Sequence, residues 1–216
     1  MTTAKTKAIA KPAVELESMT DDLRRHFEVT LGRDEVSESH YYLYNALALT
    51  LRDRLTQRWR ETRERYRDQD PKRVAYLSLE FLMGRALNNA ILNLDLDADT
   101  REALQGYAVD LETLAEEEMD AGLGNGGLGR MAACFLDSCA TLELPVTGYG
   151  LRYEYGMFHQ RIDDGYQVEE PDPWLREGHP WEIARPEYTQ RIHFGGHSHF
   201  VGGPDGQMLA SWVGSE

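Results

Sequence analysis

The sequence predicts an α/β fold, in which helices come first and a mixed sheet follows. One observation is the nearly continuous apolar run from Val74 to Leu79, which is typical of a parallel strand buried on both faces. Patterns with helical spacing lie on both sides of this run. A glycine-rich loop after Asp120 then leads into a further amphipathic helix that extends to about Leu142. Ligands of open parallel sheets bind at the carboxyl ends of the strands, which makes Glu80, just after the apolar run, a candidate site residue.

Composition excludes several classes of protein. The 216 residues include 37 acids and 23 bases, a formal charge of −14, and such a surface repels the phosphates of nucleic acids. The sequence contains neither a signal peptide nor an apolar run of membrane-spanning length. Cys134 and Cys139 show no metal-type spacing, so we expect buried thiols in a reduced, cytoplasmic protein without membrane or nucleic-acid partners.

The N-terminal third is predicted to be helical. Residues 1–19 lack periodicity and are expected to form a flexible arm, followed by one incomplete domain over residues 20–216. Thr20 is the expected N-cap of a short helix. A connector then leads to a long helix from about His40 to Asp68, with a buried stripe at Tyr44, Leu47, Leu51, Leu55, Trp59 and Tyr66.

Two helical patterns separate the apolar strand from the glycine loop. Gly84 is expected to open a helix whose buried stripe is Leu87, Ala90, Ile91 and Leu94. The pattern of a capping box at Asp99 and Glu102 predicts a second helix, which continues through Leu114. Ten acids and one base lie between Asp95 and Asp120, and we interpret this segment as an exposed helical surface.

The glycine loop itself predicts an anion site, most plausibly for phosphate. Residues without Cβ atoms leave backbone N–H groups open, and the helix that follows adds partial positive charge at the same point. One alternative is a dinucleotide fingerprint at Gly124, Gly126 and Gly129, although the acidic residues before the loop do not suit the strand that this fingerprint requires. Another alternative is a tight turn that only caps the helix. The loop glycines are Gly122, Gly124, Gly126, Gly127 and Gly129.

The remainder of the chain reads as β structure. Val146–Tyr155 alternates glycine with aromatic residues, and a turn at Asp163–Gly165 predicts a hairpin. The prolines of Glu169–Trp181 indicate an ordered loop. Further strands are expected at Arg191–Phe194, His199–Val201 and Met208–Val213.

Two other chemistries were weighed against simpler interpretations. His193, His197 and His199 invite a metal site, but no second cluster supplies the remaining ligands, and we expect no metal. An acid pair of the hydrolase type is better explained by a turn and a solvated loop. The acids concerned are Asp163, Asp164, Glu169, Glu170 and Asp172.

Long motifs resemble one known family. The runs YLSLEFLMGRALNNAILNL and DAGLGNGGLGRMAACFLDSCATLELPVTGYGLRYEYGMFHQ are similar to the N-terminal part of glycogen and other α-glucan phosphorylases. The similarity extends from about Thr20 to Glu216 and includes DPWLREGHPWEIARPE. It implies part of a Rossmann-like domain of the glycosyltransferase-B type and, for a full-length protein, a homodimer.

The resemblance also implies a reaction and a set of site residues. Family members use inorganic phosphate to cleave terminal α-1,4 bonds of a glucan, which releases α-D-glucose 1-phosphate, with pyridoxal 5′-phosphate as cofactor. Gly126, Gly127 and Leu128 would cradle the phosphate and the glucosyl group beside the cofactor, and Asn125 would shape the loop. Glu80 would orient polar groups rather than donate the proton.

The chain departs from the family pattern in four respects. The N-terminal tail does not resemble the phosphorylated segment of the animal enzymes, and Arg67 stands where those enzymes stack a nucleotide, so neither form of control is expected. Leu82 replaces a tyrosine near the cofactor. Family members are also several times longer and bind the cofactor through a lysine in a second domain, which matches none of Lys5, Lys7, Lys11 and Lys72.

We therefore expect a truncated phosphorylase that is inactive alone. The alternatives are a non-catalytic segment that binds glucan or a partner, and an NAD-type oxidoreductase.

Overall fold

The chain folds as helices combined with small sheets. The structure is a computed structural model that describes residues 16–34, 40–191, 195–203 and 206–214. It forms two compact units, Met1–Trp181 and Glu182–Glu216. The α/β class is confirmed at this level, whereas one incomplete domain over residues 20–216 stays a prediction. None of the helices in the described ranges is long and apolar enough to cross a membrane.

The first helix, α1, spans Met19–Arg25 and continues as a π-helix over His26–Thr30. Its N-cap is Ser18, whose hydroxyl accepts a hydrogen bond from the N–H of Asp21 at 3.1 Å, so the prediction of Thr20 as the cap was wrong. Leu23 and Phe27 are buried as predicted. The connector predicted after Gly32 lies partly outside the described residues.

The long helix, α2, spans His40–Gln69, within a residue of its predicted end. Residues 46–51 of this helix are buried on every side, because α1, α3 and α5 all pack against its N-terminal half. The C-terminal half projects into solvent: the predicted stripe loses its burial at Trp59, which is 49% exposed. A stripe pattern identifies a helix, but only neighbouring elements decide how far along the helix the burial extends.

The predicted parallel strand is present. β1 spans Val74–Leu77 and pairs in parallel with β2, Val146–Tyr149, in register from Val74 opposite Val146 to Leu77 opposite Tyr149. The prediction that both faces are buried was wrong: Leu77 is 76% exposed. A strand becomes buried on both faces only when covering helices and flanking strands are present, and this sheet has two strands among the described residues.

Three helices connect the strand to the glycine loop: α3 (Leu87–Leu94), α4 (Asp97–Gln105) and α5 (Leu111–Ala115). The apolar stripe of α3 is buried as predicted, but the helix starts after Gly84, whose φ of +72° is incompatible with a right-handed helix. The predicted capping box at Asp99 and Glu102 is wrong, since both residues lie inside α4. The single helix predicted there is interrupted at Ala108, which has a φ of +54°.

After the glycine loop come α6 (Gly127–Thr141), β2, and the hairpin of β3 (His159–Asp163) and β4 (Tyr166–Glu170). The hairpin turns at Asp164 and Gly165, both with positive φ, which confirms the turn prediction. Residues 171–181 form the predicted irregular loop.

The second unit contains a 3-10 turn, Pro186–Tyr188, and the antiparallel pair β5 (His197–Gly202) and β6 (Met208–Val213). The strand predicted at Arg191–Phe194 lies largely outside the described residues.

Candidate functional site

The glycine loop ends at the start of α6 as predicted. Gly126 is the N-cap and carries no side chain that could satisfy the first N–H groups of the helix. The first helical hydrogen bond is donated by Arg130 to the carbonyl of Gly126 at 2.9 Å. Within the described residues, the N–H groups of Gly127, Leu128 and Gly129 therefore have no backbone acceptor. Such free donors at the positive end of a helix favour an anion.

The loop glycines serve two different purposes. A Cβ atom at Gly126 or Gly127 would have no other heavy atom within 4 Å, so these positions face open space. A Cβ at Gly124 would instead lie 2.6 Å from the backbone nitrogen of Leu82, and one at Gly122 would lie 2.5 Å from Nε1 of Trp174. Gly122 and Gly124 thus need glycine for close packing, as does Gly129, whose Cβ would lie 3.0 Å from the backbone nitrogen of Leu82. Gly126 and Gly127, between them, leave an open cradle. A tight turn alone would not explain why Gly126 and Gly127 face open space.

The segment after β1 forms the wall behind this cradle. The N–H of Phe81 donates to the carbonyl of Leu123 at 2.7 Å, and that of Leu82 donates to the carbonyl of Gly129 at 3.0 Å. Glu80 is half-buried, and its Oε2 accepts a hydrogen bond from the N–H of Asn125 at 3.1 Å. The structure therefore brings Glu80 and Asn125 into contact, 45 residues apart in sequence.

Glu80 thus binds the loop by accepting a hydrogen bond from its backbone. A carboxylate that accepts this N–H holds the loop in place, while the N–H groups of Gly127 and Leu128 have no acceptor among the described residues. On the opposite side, Nη1 of Arg130 in the first turn of α6 donates to the carbonyl of Leu82 at 3.4 Å. The roles assigned to Glu80, Asn125, Gly126, Gly127 and Leu128 stay predictions, while their proximity is a feature of the structure.

Glu118 is a residue of the site region that the sequence analysis missed. It was assigned to an exposed acidic surface, but its side chain is buried, with 3% exposure. Its carboxylate accepts hydrogen bonds from the N–H groups of Ala86 and Leu87 at 2.8 and 2.9 Å. Nε1 of Trp181 donates to it at 2.9 Å. The sequence does indicate this burial, because Glu118 continues the helical spacing of one buried face, which is formed by Leu111, Leu114 and Ala115.

The environment of Glu118 also affects a neighbouring tyrosine. Burial raises the pKa of Tyr44 well above its ordinary value, and the negative charge of Glu118 adds to this shift. Tyr44 thus stays protonated across the physiological range.

The dinucleotide interpretation lacks its structural context. That fingerprint requires a buried strand immediately before the glycine loop. The element before the loop is instead the helix α5, and residues 116–126 contain no strand.

The other candidate residues do not form a second centre. His197 and His199 lie exposed on β5, and His193 is outside the described residues. Across the described part of the chain, no group of three or more His, Cys, Asp or Glu could hold a metal ion. Asp164 belongs to the hairpin turn, and Glu170 pairs with Arg161 at 2.9 Å.

The expectation of buried thiols was wrong for Cys134, which is exposed on α6, while Cys139 is half-buried.

Comparison with known proteins gives a consistent result. The profile of the family described as Carbohydrate phosphorylase matches residues 104–216, which include the glycine loop. The brain form of glycogen phosphorylase from Bos taurus is 57% identical over 171 residues, which cover 79% of this chain and 20% of the relative. The human muscle form is 52% identical over 185 residues, 84% of this chain and 22% of the relative. The human liver form is 56% identical over 172 residues, 80% of this chain and 20% of the relative. The chain thus spans about a fifth of the length of these relatives.

Proposed function

The chain belongs to the carbohydrate phosphorylase family, and we propose that it supplies the phosphate-binding loop of an α-glucan phosphorylase. The proposed reaction is the phosphorolysis of terminal α-1,4-glucosidic bonds in glycogen or maltodextrin, which yields α-D-glucose 1-phosphate. The relatives named glycogen phosphorylase support this substrate class. We further propose a cytoplasmic homodimer and a Rossmann-like domain of the glycosyltransferase-B type for the complete protein.

The observation that carries the proposal is the open cradle at the start of α6. Gly126 and Gly127 present no Cβ, and the N–H groups of Gly127 and Leu128 have no protein acceptor in the described structure. Two such donors and the helix dipole can bind a phosphate oxygen without any cationic side chain. The same donors stabilise negative charge that develops on the phosphate as the glucosyl bond breaks, because they are already oriented.

Each neighbouring residue has a proposed part in this binding. Asn125 anchors the loop through its N–H bond to Glu80, next to the amides of Gly127 and Leu128, which have no acceptor in the described structure. Glu80 holds this geometry as an acceptor and does not transfer the proton. An exposed loop edge at Asn125 and Gly126 leaves room for the glucosyl group next to the phosphate.

The cradle also fits the phosphate-bearing cofactor that the family uses, pyridoxal 5′-phosphate. When bound beside the cradle, the cofactor would supply a second phosphate group for acid–base chemistry. No other heavy atom of the described residues lies within 4 Å of where a Cβ would stand at Gly126 or Gly127, so the cradle is open to a phosphate group. Lys72, the one lysine in the described ranges, precedes β1, whereas the cradle follows the other end of that strand. We therefore propose that the Schiff-base lysine comes from another part of the longer polypeptide.

Titration with inorganic phosphate tests the cradle directly. We expect the amide resonances of Gly126, Gly127 and Leu128 to shift in the 216-residue chain, with chloride at equal ionic strength as the reference. Gly127→Asp should abolish the shift, because it places a negative charge in the cradle, although an acid at a helix start favours the fold. Gly106→Asp is the matched control, since it adds the same charge at the C-cap of α4, where a Cβ would meet only one atom, at 3.9 Å. Equal phosphate responses in both variants would contradict the proposal.

The chain should bind phosphate without turnover. We expect no release of glucose 1-phosphate from maltoheptaose and phosphate, even after pyridoxal 5′-phosphate is added. Detectable phosphorolysis by the purified 216-residue chain would disprove this expectation.

A further inference from the structure

Glu118 is a buried carboxylate whose hydrogen-bond partners all come from segments distant in sequence. We propose that Glu118 is the positioning residue of the phosphate cradle, holding the wall of residues 80–86 against the glycine loop. The proposal rests on the proposed function for the identity of the ligand. Its structural content, the link between Glu118 and the loop, can be tested without phosphate.

The burial of Glu118 requires compensation, which the structure supplies. A carboxylate with 3% exposure is costly unless its oxygens accept hydrogen bonds. Oε1 accepts from the N–H of Ala86 and from Nε1 of Trp181, and Oε2 accepts from the N–H of Leu87. The two backbone donors have a fixed direction, because they belong to the start of α3. The helix dipole also favours a negative charge at this point.

The carboxylate replaces a cap that α3 lacks. Ala86, the N-cap residue of α3, has no side chain that can accept a hydrogen bond from the first turn. Glu118 provides this acceptor from 31 residues away. A local N-cap would stabilise α3 equally well, so the distant one has a further consequence: it joins α3 to the segment that enters the glycine loop.

This connection closes a ring of contacts around the cradle. Residues 80–86 run from the end of β1 to α3, and the glycine loop runs from Asp120 to α6. Three hydrogen bonds join the two segments. Leu82 bonds with Gly129 at the C-terminal end of the loop. Phe81 bonds with Leu123 and Glu80 bonds with Asn125 in its middle. Glu118 joins them at the other end. Without it, the wall loses one of its attachments to the loop segment, and we expect the remaining hydrogen bonds, including that between Glu80 and Asn125, to open more often.

Glu118→Gln is the informative variant. The glutamine has the same shape, but its amide group turns an N–H donor toward one of the backbone N–H groups, so at least one hydrogen bond is lost. Ala90→Gly is the matched control, because it weakens α3 from inside the helix and leaves Glu118 intact. Comparing the two separates the positioning of the loop from the stability of α3.

The measurement is amide hydrogen exchange at Phe81, Leu82 and Asn125 in the phosphate-free chain. We expect exchange at these amides to be about tenfold faster in Glu118→Gln than in Ala90→Gly, since local opening is added to the effect on the helix. If Glu118→Gln does not fold, Trp181→Phe removes one donor only, and a smaller increase at the same amides is expected. Equal exchange in the variant and the Ala90→Gly control would overturn the proposal.

A phosphate titration of the same variants provides the second readout. We expect Glu118→Gln to bind phosphate about tenfold more weakly than Ala90→Gly, because its donors are no longer oriented. If no variant, and not even the parent chain, responds to phosphate, the proposed function fails, while the exchange data still decide the role of Glu118. If phosphate affinity is unchanged in Glu118→Gln while the parent chain binds, the positioning role is wrong.

Discussion

Two regions of the first unit differ sharply in how far their apolar residues are buried. In the helical region, α1–α5, the apolar stripes converge on a single core in which Leu23, Leu47, Leu87 and Leu114 have no exposed surface. In the sheet region, β1, β2 and α6, residues of equal hydrophobicity face solvent: Leu128 is 65% and Leu142 is 68% exposed. The contrast shows that amphipathic spacing predicts which side of an element is apolar, but not whether another element covers it.

The sheet region exposes apolar residues on two sides. Leu77 and Tyr149 pair on one side of the strands, whereas Phe135 of α6 packs against Tyr76, which points to the other side. The apolar face is the exposed stripe of α6 and its C-cap: Leu128, Met131, Phe135 and Leu142. The predicted stripe of α6 is therefore real in sequence and largely uncovered in space, with Ala132 as its buried member. Parallel sheets are normally covered on both faces. We therefore expect the stability of the sheet region, which carries the cradle, to depend on contacts with other protein surfaces more than that of the helical region does.

The largest effect is expected from removing a core side chain of the helical region. Leu47→Ala should lower the free energy of unfolding by about 2–5 kcal/mol, because it leaves a cavity in a fully packed site. Leu77→Ala, the matched change at an exposed strand position of the sheet region, should cost less than about 0.5 kcal/mol. Urea unfolding measures both values. Similar losses in the two variants would remove the distinction between the regions.

Glycine substitutions should distinguish the closely packed positions of the loop from the open ones by their effect on stability. Gly124→Ala should destabilise the chain by about 1–3 kcal/mol, since the new Cβ would overlap the backbone of Leu82. Gly126→Ala should cost less than Gly124→Ala, because its Cβ would enter open space and only the preference of an N-cap for glycine over alanine is lost. The midpoints of urea unfolding provide the test, and an equal cost at both positions would contradict the two-part description of the loop.

A charge on the apolar face should alter association with little effect on stability. Leu142→Glu should reduce concentration-dependent self-association, measured by sedimentation velocity, because it interrupts an exposed apolar patch. Leu142→Met preserves the apolar character and serves as the control. If the two variants sediment alike at every concentration, the apolar face does not mediate association.

The smallest effect concerns pH in the helical region. The N–H of Thr113 lowers the pKa of Asp110, and hydrogen bonds from Arg101 lower the pKa of Glu112. A depressed folded-state pKa contributes stability above the ordinary value of about 4, and this contribution is lost as the pH falls through the folded value. We expect a slight loss of stability on acidification below about pH 4. In Asp110→Asn, which retains a capping oxygen, urea midpoints should fall less steeply over that interval, and an identical pH slope would refute the assignment.

Local sequence patterns were sufficient to predict a large part of the fold and of the candidate site. The spacing in α2 and α6, the apolar run of β1, and the turn at Asp164 and Gly165 each depend on a few adjacent residues, so their prediction was reliable. The opening of α6 at the glycine loop followed in the same way. The start of α3 and the break at Ala108 were missed, because the backbone reverses there without a strong local signal.

Contacts between distant segments were decided by the tertiary structure. Sequence alone determined the element types, the glycine cradle and the resemblance to phosphorylases, since these depend on residues that are neighbours in the chain. It could not determine that Glu80 meets Asn125, that Glu118 is buried beneath α3, or that the stripe of α6 remains exposed. Burial and hydrogen bonding depend on which elements meet in space, and the same acid or leucine can be solvated or buried with no change in its local sequence.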